Sequence, residues 1–115
     1  MRGFEPRRST NGYDTGATAV VFRHGDAIGR YVVQNLSTEG ALLTGGHEID
    51  RGKPVHVVLN LPDGKKPLGM VGCVHNVARG PEGVVAVDVR FPHMRAYVED
   101  RIQNLVLSAL ETASR

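Results

Sequence analysis

Residues 55–74 read VHVVLNLPDGKKPLGMVGCV, and the fold class follows from this stretch. Apolar residues occupy every second position from Val55 to Leu61, which is the period of a strand with one buried face. The Pro-Asp-Gly sequence at 62–64 has the chemistry of a tight turn, and an apolar run returns from Leu68 to Val77. Strand, turn and strand in this order predict a β-hairpin.

Further β-prone runs lie on both sides of this hairpin. Upstream they predict strands over 17–23, 28–36 and 41–44, and downstream the alternation of Val and Phe predicts a strand over 85–91. Glycine or proline closes most of the runs, as expected for tight turns between short strands. Five or six short strands at this spacing predict a small antiparallel barrel or sandwich.

The period changes after Pro92, where apolar residues begin to recur every three or four positions. This pattern predicts an amphipathic α-helix over residues 93–113, with a length of roughly 30 Å. A small barrel is too short to cover such a stripe completely, so two interpretations stand. The helix packs on its own barrel, or its distal half, Leu105 to Ala113, docks on a protein partner. A homodimer is one form of the second.

The charge balance limits the partners. The 115 residues carry 14 Lys and Arg against 12 Asp and Glu, and this net charge of +2 is too small for general DNA coating. A nucleic-acid-binding barrel is a third class that would need a basic face. The basic residues of the predicted turns are instead scattered, at Lys53, Lys65, Lys66 and Arg79. Nucleic acid is therefore disfavoured as a partner.

The chain length suits one domain, predicted over residues 15–115 with the helix included. A flexible basic arm is predicted over residues 1–14, because this segment has few apolar residues and contains the pair Arg7-Arg8. No apolar run reaches the roughly 18 residues of a membrane span, and the first residues hold no apolar signal segment. These observations predict a cytoplasmic protein.

Residue types that carry catalysis or bind metals lack the spacing that those functions need. None of the five histidines belongs to an i, i+4 pair or a Cys/His cluster, so no metal site is predicted. Cys73 lies within an apolar strand and is predicted to be a small core residue rather than a nucleophile. P-loop, GxSxG and dinucleotide-binding motifs are absent, and the chain is predicted not to be an enzyme.

Two further features of the sequence are candidates for a binding site, and we interpret them as parts of one site. Residues 35–40, NLSTEG, describe a tight corner between two strands. The Asn and Ser side chains there can bond the local backbone or a ligand, and Gly40 can take a positive φ or allow a close backbone approach. The second feature is the arginine pair of the arm.

These residues resemble the signature of the PilZ domain family, the bacterial receptors for cyclic di-GMP. That signature is an RxxxR loop before the first barrel strand, followed by D/N-x-S-x-x-G. Asn35, Ser37 and Gly40 match the second part, and a small apolar run follows at 41–43. The resemblance extends over residues 5–93 and implies a six-stranded antiparallel β-barrel with a C-terminal α-helix. It also implies cyclic di-GMP as the ligand, without a further cofactor.

The first part of the signature is incomplete. Counted from Arg7, the second arginine position falls on Asn11, and counted from Arg8 it falls on Gly12. In the family the arginines grip phosphate and lie against guanine, so the loss of one weakens binding by on the order of 1.5–3 kcal/mol. The ligand-binding residues implied by the resemblance are Arg7, Arg8, Asn11, Asn35, Ser37 and Gly40.

The resemblance implies two functions as hypotheses. In the first, the chain is a receptor or adaptor that binds cyclic di-GMP weakly and relays the signal to a protein partner. In the second, it is a degenerate domain that binds no nucleotide and acts as a protein-interaction module in motility or surface regulation.

Overall fold

A computed structural model describes residues 15–113, and the predicted arm over 1–14 lies outside the described residues. The described chain forms six β-strands, a single 3₁₀ turn at Pro81–Gly83 and one α-helix. The elements are β1 Thr18–Arg23, β2 Asp26–Leu36, β3 Gly40–Thr44, β4 Pro54–Asn60, β5 Leu68–Arg79, β6 Val85–Arg90 and α1 Ala96–Ala113.

The six strands form a closed antiparallel barrel in the order β1-β2-β3-β6-β5-β4. Hairpins join β1 to β2 and β4 to β5, as the turn sequences predict. Closure depends on two pairings between strands that do not follow one another in sequence. β1 pairs with β4, with Thr18 opposite Asn60, and β3 pairs with β6, with Gly40 opposite Arg90. The prediction of a six-stranded barrel is confirmed.

The inward-facing residues of all six strands, together with Val98 and Ile102 of α1, form one apolar core. Its most fully buried side chains are Leu, Ile and Val, which are branched aliphatic types that pack densely. They are Val21, Val33, Leu36, Leu43, Val57, Leu59, Val74, Val87, Val89 and Ile102. Cys73 is not among them. It lies half-buried on β5, one position out of phase with the buried Val74, so the prediction of a core cysteine is wrong.

Tyr31 links the barrel to the connection that leaves β3. Its ring lies where a Cβ atom on Gly46 would have to be, so only glycine fits at that position. The Tyr31 hydroxyl donates a hydrogen bond of 2.6 Å to the carbonyl of His47. Burial raises the pKa of this phenol above its usual range, and the hydroxyl stays a donor at neutral pH.

The C-terminal helix begins at Ala96, three residues later than predicted. The carbonyl of Arg95 accepts hydrogen bonds from the backbone N–H groups of Val98 and Glu99, both at 3.0 Å, which makes Arg95 the N-cap residue. Residues 93–95 therefore connect β6 to the helix and do not belong to it.

The helix packs on the barrel through its first half. Val98 and Ile102 are buried in the barrel core, and Leu105 is only half-buried against it. Leu107 and Leu110 are 55% and 41% exposed. The prediction that the barrel leaves part of the distal stripe uncovered is confirmed for Leu110.

An ion pair fastens the helix to the β4–β5 turn. The guanidinium of Arg101 donates to both carboxylate oxygens of Asp63, at 3.1 and 3.0 Å, and to the carbonyl of Lys66 at 2.8 Å. Nη2 makes both contacts to the carboxylate while Nη1 donates to the carbonyl, so the guanidinium is held at two points of the turn. The contact holds the helix against the hairpin that the Pro-Asp-Gly sequence forms.

We expect Asp63→Asn to loosen the helix at neutral pH. The backbone N–H of Lys65 and the guanidinium of Arg101 hold the pKa of Asp63 below its usual range. A carboxyl with a lowered folded-state pKa stabilises the fold above its unfolded pKa, and that contribution is lost as pH falls through the folded pKa. The melting temperature of Asp63→Asn should therefore lie below that of the wild type at pH 7, and the gap should close in acid.

The matched control is Asp50→Asn, which removes a carboxylate from another exposed turn of the barrel. Hydrogen exchange should show faster exchange of the α1 amides in Asp63→Asn alone. Equal melting temperatures for wild type and Asp63→Asn at pH 7 would show that the ion pair does not hold the helix.

Candidate ligand-binding site

The turn at residues 35–40, which we call the motif turn, joins β2 to β3. The backbone N–H of Ser37 donates to the carbonyl of Gly40 at 3.0 Å. The Ser37 hydroxyl accepts from the backbone N–H groups of Glu39 at 3.1 Å and Gly40 at 3.3 Å. The Ser37 side chain is buried, and its hydroxyl therefore holds the shape of the turn from inside.

Gly40 is required by a close approach between strands. Its φ is not positive, so of the two roles expected for this glycine the close backbone approach is the one that the structure shows. A Cβ atom at this position would lie within 3.0 Å of the Val89 carbonyl oxygen, a backbone atom of the neighbouring strand β6. Only glycine lets β3 and β6 pair at this distance.

Asn35 lies at a β-bulge. The β2–β3 register shifts between Val33 and Asn35, and Asn35 pairs with Leu42. A bulge changes the direction in which the following side chains point. Leu36 and Ala41, the next pair, are core residues, so the alternation of the strand puts Asn35 on the outer face. It is nevertheless only 7% exposed. The structure therefore brings Asn35, Ser37 and Gly40 together in one turn.

Arg90 is a basic residue of this region that the sequence reasoning missed. It is the strand partner of Gly40, and its Cδ lies 3.2 Å from the position of a Gly40 Cβ. Its side chain is half-exposed and forms an ion pair with Asp88 at 3.3 Å. The alternation of β6 indicates that Arg90 points outward, but only the non-sequential β3–β6 pairing puts it beside the motif turn.

The motif turn also borders the helix. A cleft of about 230 Å³ is lined by Ser37 and Thr38 on the turn and by Gln103, Val106 and Leu107 on α1. The sequence pattern gave no sign of this contact, because the direction of α1 over the barrel is not encoded in its periodicity. The partly uncovered half of the helix thus lies next to the motif turn.

The arm residues Arg7, Arg8 and Asn11 lie outside the described residues. The described chain nevertheless enters the barrel close to the motif turn. The carbonyl of Ala17 accepts a hydrogen bond of 3.0 Å from the backbone N–H of Val33, two residues before Asn35.

Two observations concern other kinds of site. Among residues 15–113, no three His, Cys, Asp or Glu side chains come close enough to hold a metal ion. In the same part of the chain, no helix combines the length and the apolar character needed to cross a membrane.

Solved structures share this fold at low sequence identity. MotI of Bacillus subtilis, an inhibitor of motility, matches with a TM-score of 0.77 and 14% identity over 96% of this chain and 55% of its own. YcgR of Escherichia coli in complex with c-di-GMP matches with a TM-score of 0.73 and 13% identity, over 90% and 45%. The isolated PilZ domain of YcgR with c-di-GMP matches with a TM-score of 0.67 and 13% identity, over 84% and 83%. The chain thus spans about half the length of MotI and of YcgR.

No curated protein is significantly similar to this chain in sequence. The family model described as PilZ domain matches residues 4–108, which is most of the 115 residues and includes both parts of the signature region. With this match and the shared barrel and helix, the chain belongs to the PilZ domain family.

Proposed function

We propose that this domain is a cytoplasmic receptor for cyclic di-GMP that relays the signal to a protein partner and catalyses no reaction. The observation that carries the proposal is the motif turn, in which Asn35, Ser37 and Gly40 come together where the chain enters the barrel. A preformed turn of this kind offers a nucleotide a fixed polar corner, so little ordering is needed on binding.

Because cyclic di-GMP is negatively charged, its binding at the motif turn requires cationic side chains nearby. Cyclic di-GMP carries two phosphates and two guanines, whose O6 and N7 atoms accept hydrogen bonds. Arg90 beside Gly40 is one such cation, and it forms a partly exposed ion pair with Asp88. Arg7 and Arg8 supply two more from the arm. Arg8 is seven residues before Thr15, and an extended chain of that length spans at most about 25 Å, enough to reach across a small barrel.

The cleft between the motif turn and α1 supplies a route for the relay. A ligand that contacts the turn alters the position of Thr38, and Thr38 shares the cleft with Gln103 and Leu107. Leu107 and Leu110 lie on the same part of the helix and are exposed. They form an apolar surface to which a protein partner can bind. Reception and relay would then take place at adjacent positions.

One observation favours the second candidate, a degenerate domain that only binds proteins. The Ser37 hydroxyl donates to the carbonyl of Gly40 at 3.4 Å and accepts from two backbone N–H groups of the motif turn, so this part of the signature has a structural reason to be present without any ligand. The missing second arginine points the same way.

Isothermal titration of the full chain with cyclic di-GMP tests the proposal. We expect saturable binding that weakens by roughly tenfold or more in the double variant Arg7→Ala/Arg8→Ala, because two charge-assisted contacts are lost. The control, Lys65→Ala/Lys66→Ala, removes the same charge from the exposed β4–β5 turn and should bind like the wild type. No heat of binding from the wild type at millimolar ligand would leave the interaction module as the function.

A further inference from the structure

A second basic region lies on the barrel, away from the motif turn. It is a groove of about 700 Å³ between the β1–β2 turn and the start of β4, which we call the β1–β4 groove. The strand register separates it from the motif turn. From Gly40, the path across the strands runs through Arg90 and Cys73 to Pro54 at the groove, three inter-strand steps or about 14 Å.

The rim of the groove is rich in nitrogen-bearing side chains. Arg23, His24 and Lys53 line it, His56 lies between the strands on either side of the groove, and none of the lining residues is acidic. Asp26 is the strand partner of Arg23 but does not line the groove. Arginine and lysine with no carboxylate among them form a site for an anion, most strongly for phosphate.

The floor of the groove is formed by three strand partners, Phe22, His56 and Val71, with His56 between the two apolar residues in the register. Val71 is 52% exposed, and Phe22 is half-buried. An inorganic anion would leave this surface uncovered, and the volume is that of a site for a whole organic ligand. The fitting ligand therefore combines a phosphate with a flat apolar ring.

The groove is framed by a tight hairpin turn and a closed sheet, and this favours a small ligand over a peptide. His24 and Gly25 both have positive φ, at 53° and 85°, which is the geometry of a two-residue hairpin turn that matches the strand twist. Peptides often bind to sheets by adding a strand, but a closed barrel offers no free edge for this. A small ligand that contains a ring can contact the floor of the groove without pairing with a strand, so it fits this groove better than a peptide does.

We propose that the β1–β4 groove binds a mononucleotide, with its phosphate between Arg23 and Lys53 and its base against Phe22 and Val71. His24 lies at the rim, where its ring nitrogens can hydrogen-bond the sugar. His56 lies between Phe22 and Val71 in the strand register, where its ring can stack on the base. The site is independent of the motif turn and of cyclic di-GMP binding there.

NMR titration of the ¹⁵N-labelled full chain with GMP tests this proposal. We expect saturable shifts in the amides of residues 22–25 and 53–56, with the amides of the motif turn unchanged. Guanosine and inorganic phosphate should each bind at least tenfold more weakly than GMP, because guanosine lacks the contacts to Arg23 and Lys53 and phosphate lacks the contacts of the base and sugar. Arg23→Glu/Lys53→Glu should weaken GMP binding at least tenfold.

The control Lys65→Glu/Lys66→Glu makes the same change in charge on the distant β4–β5 turn and should bind GMP like the wild type. Should the glutamate pair at the groove fail to fold, Arg23→Gln/Lys53→Gln takes its place with the same expected direction. Three results would overturn the proposal: no saturation with GMP, shifts centred on residues 35–40, or equal weakening by the control. Binding of single-stranded RNA without binding of GMP would overturn it as well, in favour of a nucleic-acid surface.

Discussion

Asn11→Arg should strengthen the binding of cyclic di-GMP by roughly 10- to 100-fold. The substitution restores the spacing RxxxR counted from Arg7, and so returns a planar, permanently charged group to the position where the family has its second arginine. A charge-assisted contact of this kind contributes about 1.5–3 kcal/mol, and each 1.4 kcal/mol is a factor of ten in affinity. The measurement is a calorimetric titration of wild type and variant at the same salt concentration.

Two further titrations separate a specific contact from a general effect of charge. Arg7→Ala in the Asn11→Arg background should cancel most of the gain, because the two arginines hold one ligand and their contributions are coupled. Thr10→Arg adds the same charge one position out of register and should gain much less. If Thr10→Arg gains as much as Asn11→Arg, the spacing has no role and only the net charge of the arm matters.

Gly40→Ala should lower the free energy of unfolding by about 2–3 kcal/mol, a drop of roughly 10 °C in melting temperature. The added Cβ would clash with the Val89 carbonyl oxygen, and a backbone atom in a closed barrel cannot move aside without disturbing the β3–β6 pairing. Thermal and urea unfolding of the ligand-free protein measure the effect directly.

The matched control is Gly69→Ala, a strand glycine on β5 where a Cβ would meet nothing within 4 Å. We expect Gly69→Ala to change stability by less than about 0.5 kcal/mol. If Gly40→Ala were as stable as Gly69→Ala and lost only nucleotide affinity, the glycine of the motif would serve the ligand rather than the barrel.

The strands were predictable because each carries its own signal. The alternation from Val55 to Leu61 and the Pro-Asp-Gly turn are local patterns, and β4 and β5 form where these patterns put them. The start of α1 was predicted three residues early because periodicity locates a helix well and its first residue poorly. Cys73 was misassigned because its strand is apolar on both faces, so the alternation that separates core from surface is faint.

Only those residues of the candidate site that are close together in sequence could be predicted to form it. Asn35, Ser37 and Gly40 lie within six residues, and their turn was expected as such. The reason for Gly40 was not, since the atom that excludes a Cβ belongs to Val89 on a strand far away in sequence. Arg90 and the cleft with α1 were not predicted from the sequence for the same reason. They become neighbours of the motif turn only through non-sequential strand pairing and the direction of the helix.

The way the barrel closes has a consequence for how the chain folds. The β1–β2 and β4–β5 hairpins join residues that are near in sequence and can form early. The β1–β4 and β3–β6 pairings join distant segments, and the entropy of closing those long loops must be lost before their contacts stabilise anything. We therefore expect the protein to fold over milliseconds to seconds, with formation of the β3–β6 seam beside Gly40 among the late events.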